Sequence, residues 1–400
     1  LCGEVMALRR DLLSEGDQDM TTGIRYDHDF IIGGPARARV TPDFRLSEYA
    51  RPDGSLRVHR ELAAAVQLVR NDLAQGVSIA GVVPRGSTGQ GLDGRFAWLK
   101  SASLPALAAS AARVARDGWL MRVEPHGDAL YVEMPDPDNL PALAAERALD
   151  LAISVTAAFE TSGDPHLQVT GNFDGAGLSF GPLQVNLGTG TLQELFRRHA
   201  ARDEARLRAC FGALWPEWQR MLRLPSRVQQ VKWGDALSRG PRKAGFDPAW
   251  TAALQAVGHE AVFRSEMLRY AYDTYGRKLI VALAWLKGVR PIAIRNFRCL
   301  AALYDLCVQQ GSLDKAHHAI RRRIEREDPQ DAFALTRIAV EERGRTASEQ
   351  WRADCISRRL CILEREPVKV IEAGQTAQRD NPQLYLLRNA PVNQMERYLS

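Results

Sequence analysis

No stretch of this chain approaches eighteen consecutive apolar residues, so a membrane-spanning helix is not expected. Cysteine is scarce and badly spaced for metal or disulfide chemistry. The six (Cys2, Cys210, Cys299, Cys307, Cys355, Cys361) are scattered, with no Cys-x-x-Cys pair. A zinc ribbon or disulfide framework needs tighter spacing, so they read as reduced, mostly buried thiols of a protein made in a cytoplasm. Leu1 to Arg10 holds no positive segment followed by an apolar run and a small-residue cleavage site. No secretory signal is visible there. Walker, helical zinc-protease and Rossmann motifs are also missing. Neither a cofactor nor a metal is expected.

What is present is ordinary for a globular protein: 45% hydrophobic and 25% charged residues in a chain of 400, enough for two or three domains. The charge is uneven. Residues 1–150 hold 17 Lys+Arg against 21 Asp+Glu, and the remaining residues hold 36 against 27. A basic C-terminal part fits either an anionic partner or a set of solvated helix faces.

Residues 1–40 read as an irregular N-terminal extension. Val58-His59-Arg60-Glu61-Leu62 opens a helix to about Leu73, and Val77–Val83 reads as a buried strand ended by Pro84. Ser103–Arg116 is an Ala-rich helix, followed by strands at Trp119–Val123 and Ala129–Met134. Pro135-Asp136-Pro137-Asp138-Asn139 reads as a linker and places a boundary near residue 137. Asn139 suits an N-cap, and Leu143, Arg147, Leu151, Val155 and Phe159 at i+4 steps predict a helix ending at Glu160. Residues 168–187 look β-like. Helices are expected near 190–213, 249–286, 291–310, 314–326, 331–342 and 346–363, one framed by Pro291 and Gly311. The expected class is α+β, mainly α-helical, with domains at 41–137 and 138–400.

Two carboxylates stand out. Glu160 follows an apolar helix end, where desolvation and the negative end of the helix dipole disfavour its ionised form, as a general acid requires. Asp174 opens the Gly-rich run Asp174-Gly175-Ala176-Gly177-Leu178-Ser179-Phe180-Gly181, where backbone N–H groups and the Ser179 hydroxyl favour an anion able to position water. Such a pair of environments suits a glycosidase. The same residues also read as a solvated helix end and a simple Asp-Gly turn.

Glu160-Thr161-Ser162 with Asp174-Gly175-x-Gly177-Leu178-Ser179-x-Gly181 resembles the signature of the family-46 chitosanases, in the lysozyme-like superfamily. Ala301–Gly311, with Tyr304 and Asp305, is similar to that family's A-x-Y-D-x-x-x-Q-H-G helix, and Arg352-x-Asp354-x-x-x-Arg358 to its R-x-D-x-x-x-R helix. The resemblance implies a two-lobed, lysozyme-like helical domain with a small β-hairpin lobe. It implies Glu160 as general acid, Asp174 as general base, Ser179 in place of a water-holding Thr, and Asp305 and Arg358 as charges tuning Glu160, in an inverting mechanism. Gln310 stands where the family has His, and Leu178 where it has an aromatic. Gly181-Pro182-Leu183-Gln184 resembles a turn of goose-type lysozymes and lytic transglycosylases, implying that Thr161, Gly177, Gly181 and Gln184 shape a sugar cleft. Tyr304 reads as core or as a sugar platform.

Thr41–Met134 resembles zinc D,D-peptidases of the M15 group through T-P-D-F-x-L-S-E-Y, V-H-x-E-L and the closing Leu130–Met134. Its zinc ligands are missing: Gly89–Trp98 has no His, and Glu133 stands where the late His belongs. That implies a wall-binding module without metal. His59 reads as structural, the Glu124, His126, Asp128 cluster as a solvated loop, and His317-His318 with Arg321–Arg323 as a basic helix face rather than a nucleic-acid site.

Arg197, Arg198, Arg202, Arg206, Arg220, Arg227 and Arg242 tilt the expected substrate toward anionic peptidoglycan. The function expected is therefore a cell-wall glycoside hydrolase acting after release or delivery, as an endolysin or as a toxin with an immunity protein or secretion-system partner. A chitosanase and a non-catalytic peptidoglycan-binding protein are the alternatives.

Overall fold

The order in which the chain is read is not the order in which it packs. The computed structural model describes residues 17–18, 23–27, 29–51, 54–73, 75–82, 94–159 and 164–393. One unit takes Leu1–Ala144 together with Arg295–Arg298 and Glu364–Asn393, and the other takes Ala145–Ile294, Cys299–Leu363 and Gln394–Ser400. The Pro135–Asn139 segment thus falls inside the first unit. Leu143 explains why: its N–H donates to the Pro391 carbonyl and its own carbonyl accepts from Asn393 N, both at 2.8 Å.

The first unit begins with an antiparallel sheet, β1 (Asp17–Gln18), β2 (Arg25–Asp27), β3 (Phe30–Gly33) and β4 (Val58–His59). The extension expected over 1–40 therefore contributes strands. Helix α1 (Arg60–Leu73) follows, then β5 (Val77–Gly81), β6 (Phe96–Ser101), α2 (Leu104–Arg116), β7 (Arg122–His126) and β8 (Ala129–Glu133). These strands form a second antiparallel sheet in the order β5-β6-β8-β7. Ser103 caps α2 by accepting from Ala106 N, and the apolar stripe of that helix packs on the sheet.

The second unit is helical around a small β lobe. Helix α3 (Ala145–Ala157) leads to the short strands β9 (Val169–Thr170), β10 (Ser179–Phe180) and β11 (Val185–Asn186). After them come α4 (Thr191–Phe211), α5 (Trp215–Leu222), α6 (Arg227–Leu237), the β12–β13 pair (Ser238–Arg239, Gly245–Phe246) and α7 (Pro248–His259). Helix α8 (Ala261–Ala271) runs through a π turn, Tyr272–Gly276, into α9 (Arg277–Val289). The unit closes with α10 (Phe297–Gln310), α11 (His317–Glu327), α12 (Ala332–Arg345) and α13 (Glu349–Glu364). The strands β14 (Val368–Glu372) and β15 (Gln375–Arg379) then belong to the first unit. Two expectations change. Helix α3 starts at Ala145 rather than at Asn139, and α10 starts at Phe297 rather than at Pro291, because the intervening segments pair with residues 390–393 instead.

Aromatic residues make up only 7% of the chain, yet they concentrate under the β lobe. Phe196 and Phe211 meet Trp218 at 4.7 and 4.8 Å, Trp233 meets Trp250 at 5.0 Å, and Phe180 of β10 reaches Phe196 and Phe263 at 6.1 Å. Rings at these separations add edge and offset attractions to their buried area. The lobe is thereby pinned to the helices through its own middle strand. The five described cysteines are free thiols, four of them buried, and Cys2 lies outside the described residues.

His59 is structural. Its Nδ1 accepts the Glu61 N–H at 3.1 Å and so satisfies one open donor at the start of α1. Burial pushes the imidazole from 6.5 down to about 4, against the pull of Glu61 and Asp29. Because the folded value is depressed, the contribution to stability is complete above the unfolded value and is lost as pH falls from about 6.5 toward 4. Urea unfolding should lose on the order of 3 kcal/mol more between pH 7 and pH 4 in the native chain than in His59→Asn. An identical pH slope in the two proteins would refute this role.

Candidate functional site

Glu160 and Thr161 lie outside the described residues, but the helix end that precedes them does not. Helix α3 buries Leu149, Leu151, Ala152, Ile153 and Val155, and the chain continues through Ala158 to Phe159. Arg358 of α13 sits on this end. Its Nη2 donates to the Thr156 carbonyl at 3.4 Å, and its guanidinium lies 4.6 Å from the centre of the Phe159 ring. The same guanidinium grips Asp305 of α10 with Nε at 2.9 and 3.0 Å and Nη2 at 2.7 Å. Arg359 Nε stands 3.5 Å from the other carboxylate oxygen.

Three segments far apart in sequence therefore meet at one buried carboxylate. Asp305 is 0% exposed and flanked along α10 by buried Ala301, Ala302, Leu306 and Cys307. A charge in such surroundings is tolerable only when paired and hydrogen-bonded, which the two arginines provide. Tyr304 is equally buried, and burial pushes its phenol well above the usual range. Its hydroxyl has no hydrogen-bond partner, so Tyr304 is core and not a sugar platform. Gln310 donates to the Arg343 carbonyl at 3.3 Å, a tie between α10 and α12.

Asp174 occupies the tip of the turn between β9 and β10. It is exposed, and its Oδ1 accepts the Ala176 N–H at 3.0 Å. Gly175 and Gly177 have φ of 85° and 87°, which a side chain would strain. A Cβ on Gly177 would also come within 3.1 Å of Val231 Cα on α6. The turn is braced by Asn172: Oδ1 accepts the Gly177 N–H at 2.7 Å, and Nδ2 donates to Asp235 Oδ1 at 2.6 Å. Asp235 in turn holds Lys243 at 2.5 Å. Phe173, next to Asp174, is 56% exposed, unusual for its size.

Ser179 lies behind this turn, 3% exposed and laddered to Thr170 and Asn186. The Asp174 carboxylate bonds to Ala176 and not to Ser179. Gln184, at φ 47°, donates to the Gly181 carbonyl and accepts from Thr170 Oγ1, both at 2.9 Å. It closes the turn after β10. Gly181 leaves room for α8, since a Cβ there would meet Met267 Cε at 2.8 Å. Helix α8 also packs on α3 and so touches both carriers of the candidate carboxylates. Asn172, Asp235 and Lys243 escaped the sequence reading. Only the Asn in Gly171-Asn172-Phe173-Asp174 hinted at a brace, and the Asp235 that anchors it is 63 residues away.

The arginines that suggested an anionic substrate are largely matched. Arg198 pairs with Asp273 and Glu194 at 2.9 and 2.8 Å, Arg202 with Glu266 at 2.5 Å, Arg206 with Glu260 at 2.8 Å and Arg220 with Glu217 at 2.5 Å. A cavity of about 360 Å³ beside α3 is instead lined by Glu146, Asp150 and Asp273 with Arg269 and Tyr272. Tyr272, at the start of the π turn, donates its hydroxyl to the Glu146 carbonyl at 3.0 Å and to Asp150.

In the first unit Glu124 is held by Arg122 at 2.7 Å and by His126 at 3.4 Å, while Asp128 meets Lys100 at 2.5 Å. Glu133 accepts from the Tyr131 hydroxyl at 3.1 Å. These groups form surface pairs. Gly89–Asp93 lie outside the described residues.

Asp305→Asn leaves two buried guanidinium groups without their counter-charge. It should destabilise the protein by about 3–5 kcal/mol, read from the urea midpoint. A loss under about 1 kcal/mol would show the pair to be dispensable.

No family model matches this chain, and no curated protein matches it. The peptidase resemblance of residues 41–134 receives no support. Among solved structures, a GH46 chitosanase from Gynuella sunshinyii in complex with chitotetraose is 15% identical, with a TM-score of 0.38 over 60% of this chain and 99% of its own. A native chitosanase from Bacillus subtilis is 12% identical, with a TM-score of 0.34 over 59% of this chain and 98% of its own. A mutant chitosanase from Bacillus subtilis, complexed with 6 glucosamine units, gives 12% and 0.33 over the same shares.

Proposed function

We propose that the second unit is a glycoside hydrolase that cleaves β-1,4 bonds of an amino-sugar polymer with inversion. The observation that carries this reading is the Asp305–Arg358 pair seated on the last turn of α3, immediately before Glu160 in the chain. A lone arginine there would favour an ionised glutamate. Asp305 offsets that charge in part and lets Arg358 fix the helix end, while the apolar residues of α3 favour the protonated form of Glu160 that the acid requires. Asp174, exposed on a turn clamped by Asn172, is the base that activates water on the opposite face of the sugar. Gly177 fixes the shape of that turn, Ser179 backs it, and Gly181 and Gln184 shape the next turn, after β10. Asp305 and Arg358 are positioning residues.

Peptidoglycan remains one substrate within this reading, reached by release or delivery and, for a toxin, opposed by an immunity protein. The ion pairs of Arg198, Arg202, Arg206 and Arg220 weaken the charge argument for it. Glu146 and Asp150 on α3 favour a second reading, a cationic polymer such as chitosan.

Purified sacculi and chitosan should be digested in parallel and the products analysed by mass spectrometry and NMR. Glu160→Gln and Asp174→Asn should each lower turnover about 10²–10⁴-fold with unchanged melting temperature. The first-formed anomer should be inverted. Retention would remove Asp174 from the role of base, and binding of either polymer without cleavage by the native chain would replace the hydrolase with a binding protein.

A further inference from the structure

A cavity of about 320 Å³ lies within the first unit, far in sequence from the carboxylates discussed above. Its wall includes Tyr26, Thr41, Arg60, Ala63, Arg365 and Tyr385. That volume lies at the small end of ligand pockets.

The groups around Arg365 form a dense cluster of guanidinium groups and carboxylates. Glu61, 1% exposed, is bracketed by Arg365 Nη1 at 3.1 Å and Arg388 Nε at 3.0 Å. Arg365 also stands 3.8 Å from Asp29. Arg60 stacks on the Tyr26 ring at 3.8 Å and donates Nη1 to the Arg365 carbonyl at 3.3 Å. Arg298 lies in the same field, pushed down to about 10 by burial and then by Arg365. Four guanidinium groups (Arg60, Arg298, Arg365, Arg388) thus face four carboxylates (Asp29, Glu61, Glu364 and, at Arg388, Asp117), with His59 neutral. The charges balance, yet not every guanidinium N–H is taken up.

Two side chains of the wall are also unsatisfied. Arg365 Nη2 and Thr41 Oγ1 are shielded from solvent and have no hydrogen-bond partner. Their residues are 4% and 5% exposed. Leaving a charged donor in that state costs more than the ~1–3 kcal/mol of a neutral one. Arg365 moreover adopts φ 62°, a left-handed backbone that is costly for a side chain with a Cβ. Much of the rest of the wall is apolar, from Ile24 and Ile31 to Ala63 and Leu384, with exposed Arg39 and with Asn381 beside them. At the rim, exposed Glu366 and Asp380 repel a polyanion while a single negative charge is drawn to the deeper arginines.

We propose that this cavity binds a small monocarboxylic acid with an apolar body, its carboxylate taken by Arg365 and Arg60 and its body by Ile24, Ile31 and Leu384. A carboxylate accepts from the open Arg365 donor in the planar geometry that guanidinium groups prefer. A phosphate dianion would be repelled more strongly than a monoanion by Glu366 and Asp380. The site is independent of the glycosidase reading.

Phenylacetate titrated calorimetrically into the full chain tests this, with neutral phenylacetamide and inorganic phosphate as comparisons. Phenylacetate should bind saturably and at least tenfold more tightly than either. Ala63→Leu, which fills the cavity from α1, should abolish that binding with the melting temperature retained. Should Ala63→Leu fail to fold, half-buried Arg60→Gln should weaken phenylacetate at least tenfold and leave the amide unchanged. Absence of phenylacetate binding, equal binding of the amide, tighter binding of phosphate, or unchanged phenylacetate affinity in the folded variant would each overturn the proposal.

Discussion

The second unit depends on a carboxylate with nowhere else to go. Asp305 sits in the middle of a buried helix face, and its charge must be answered from outside its own helix. Arg358 and Arg359 answer it from α13, and the remaining donor of Arg358 reaches the carbonyl of Thr156 on α3. An apolar core tolerates small sliding of one helix past another. A bidentate guanidinium–carboxylate pair does not, because its directionality is lost within a fraction of an ångström. The pair therefore fixes the axial position of α3, and with it the point where the chain leaves that helix.

The β lobe is held by a different kind of force. Its turn is a mesh of local hydrogen bonds around Asn172, whereas its attachment to the helices is aromatic, through Phe180. Helix α8 serves both sides: its Met267 fits the space that Gly181 leaves open, and the helix also packs on α3. A polar clamp thus sets one side of the candidate cleft, an aromatic cluster sets the other, and a single helix spaces them.

Much of this was legible in the residues, and the failures have a common cause. Helices α2, α11 and α12 show apolar periodicity and end signals, so local patterning suffices. The motifs around Asp174, Asp305 and Arg358 were readable as types at fixed spacing. By contrast, α6 buries little beyond Gln230 and Gly234, so it offers no apolar stripe to read. Asn139 and Pro291 looked like helix starts because capping preference is local. The competing backbone bonds from Pro391 and Asn393 come from some 100 to 250 residues away. The brace of Asn172 was hidden for the same reason, whereas the helical spacing of Tyr304 from Leu300, Ala301 and Val308 already read as core.

The interleaving of the units has a consequence for how the chain is made. A ribosome completes every strand and helix of the first unit's opening segment long before Arg365 and Arg388 emerge. Until then Glu61 has no counter-charge and the cavity has no floor. The second unit, nested between, has all its described helices in hand once α13 is out. Synthesis order and folding order are thus inverted: the part that begins the chain is the last that can close.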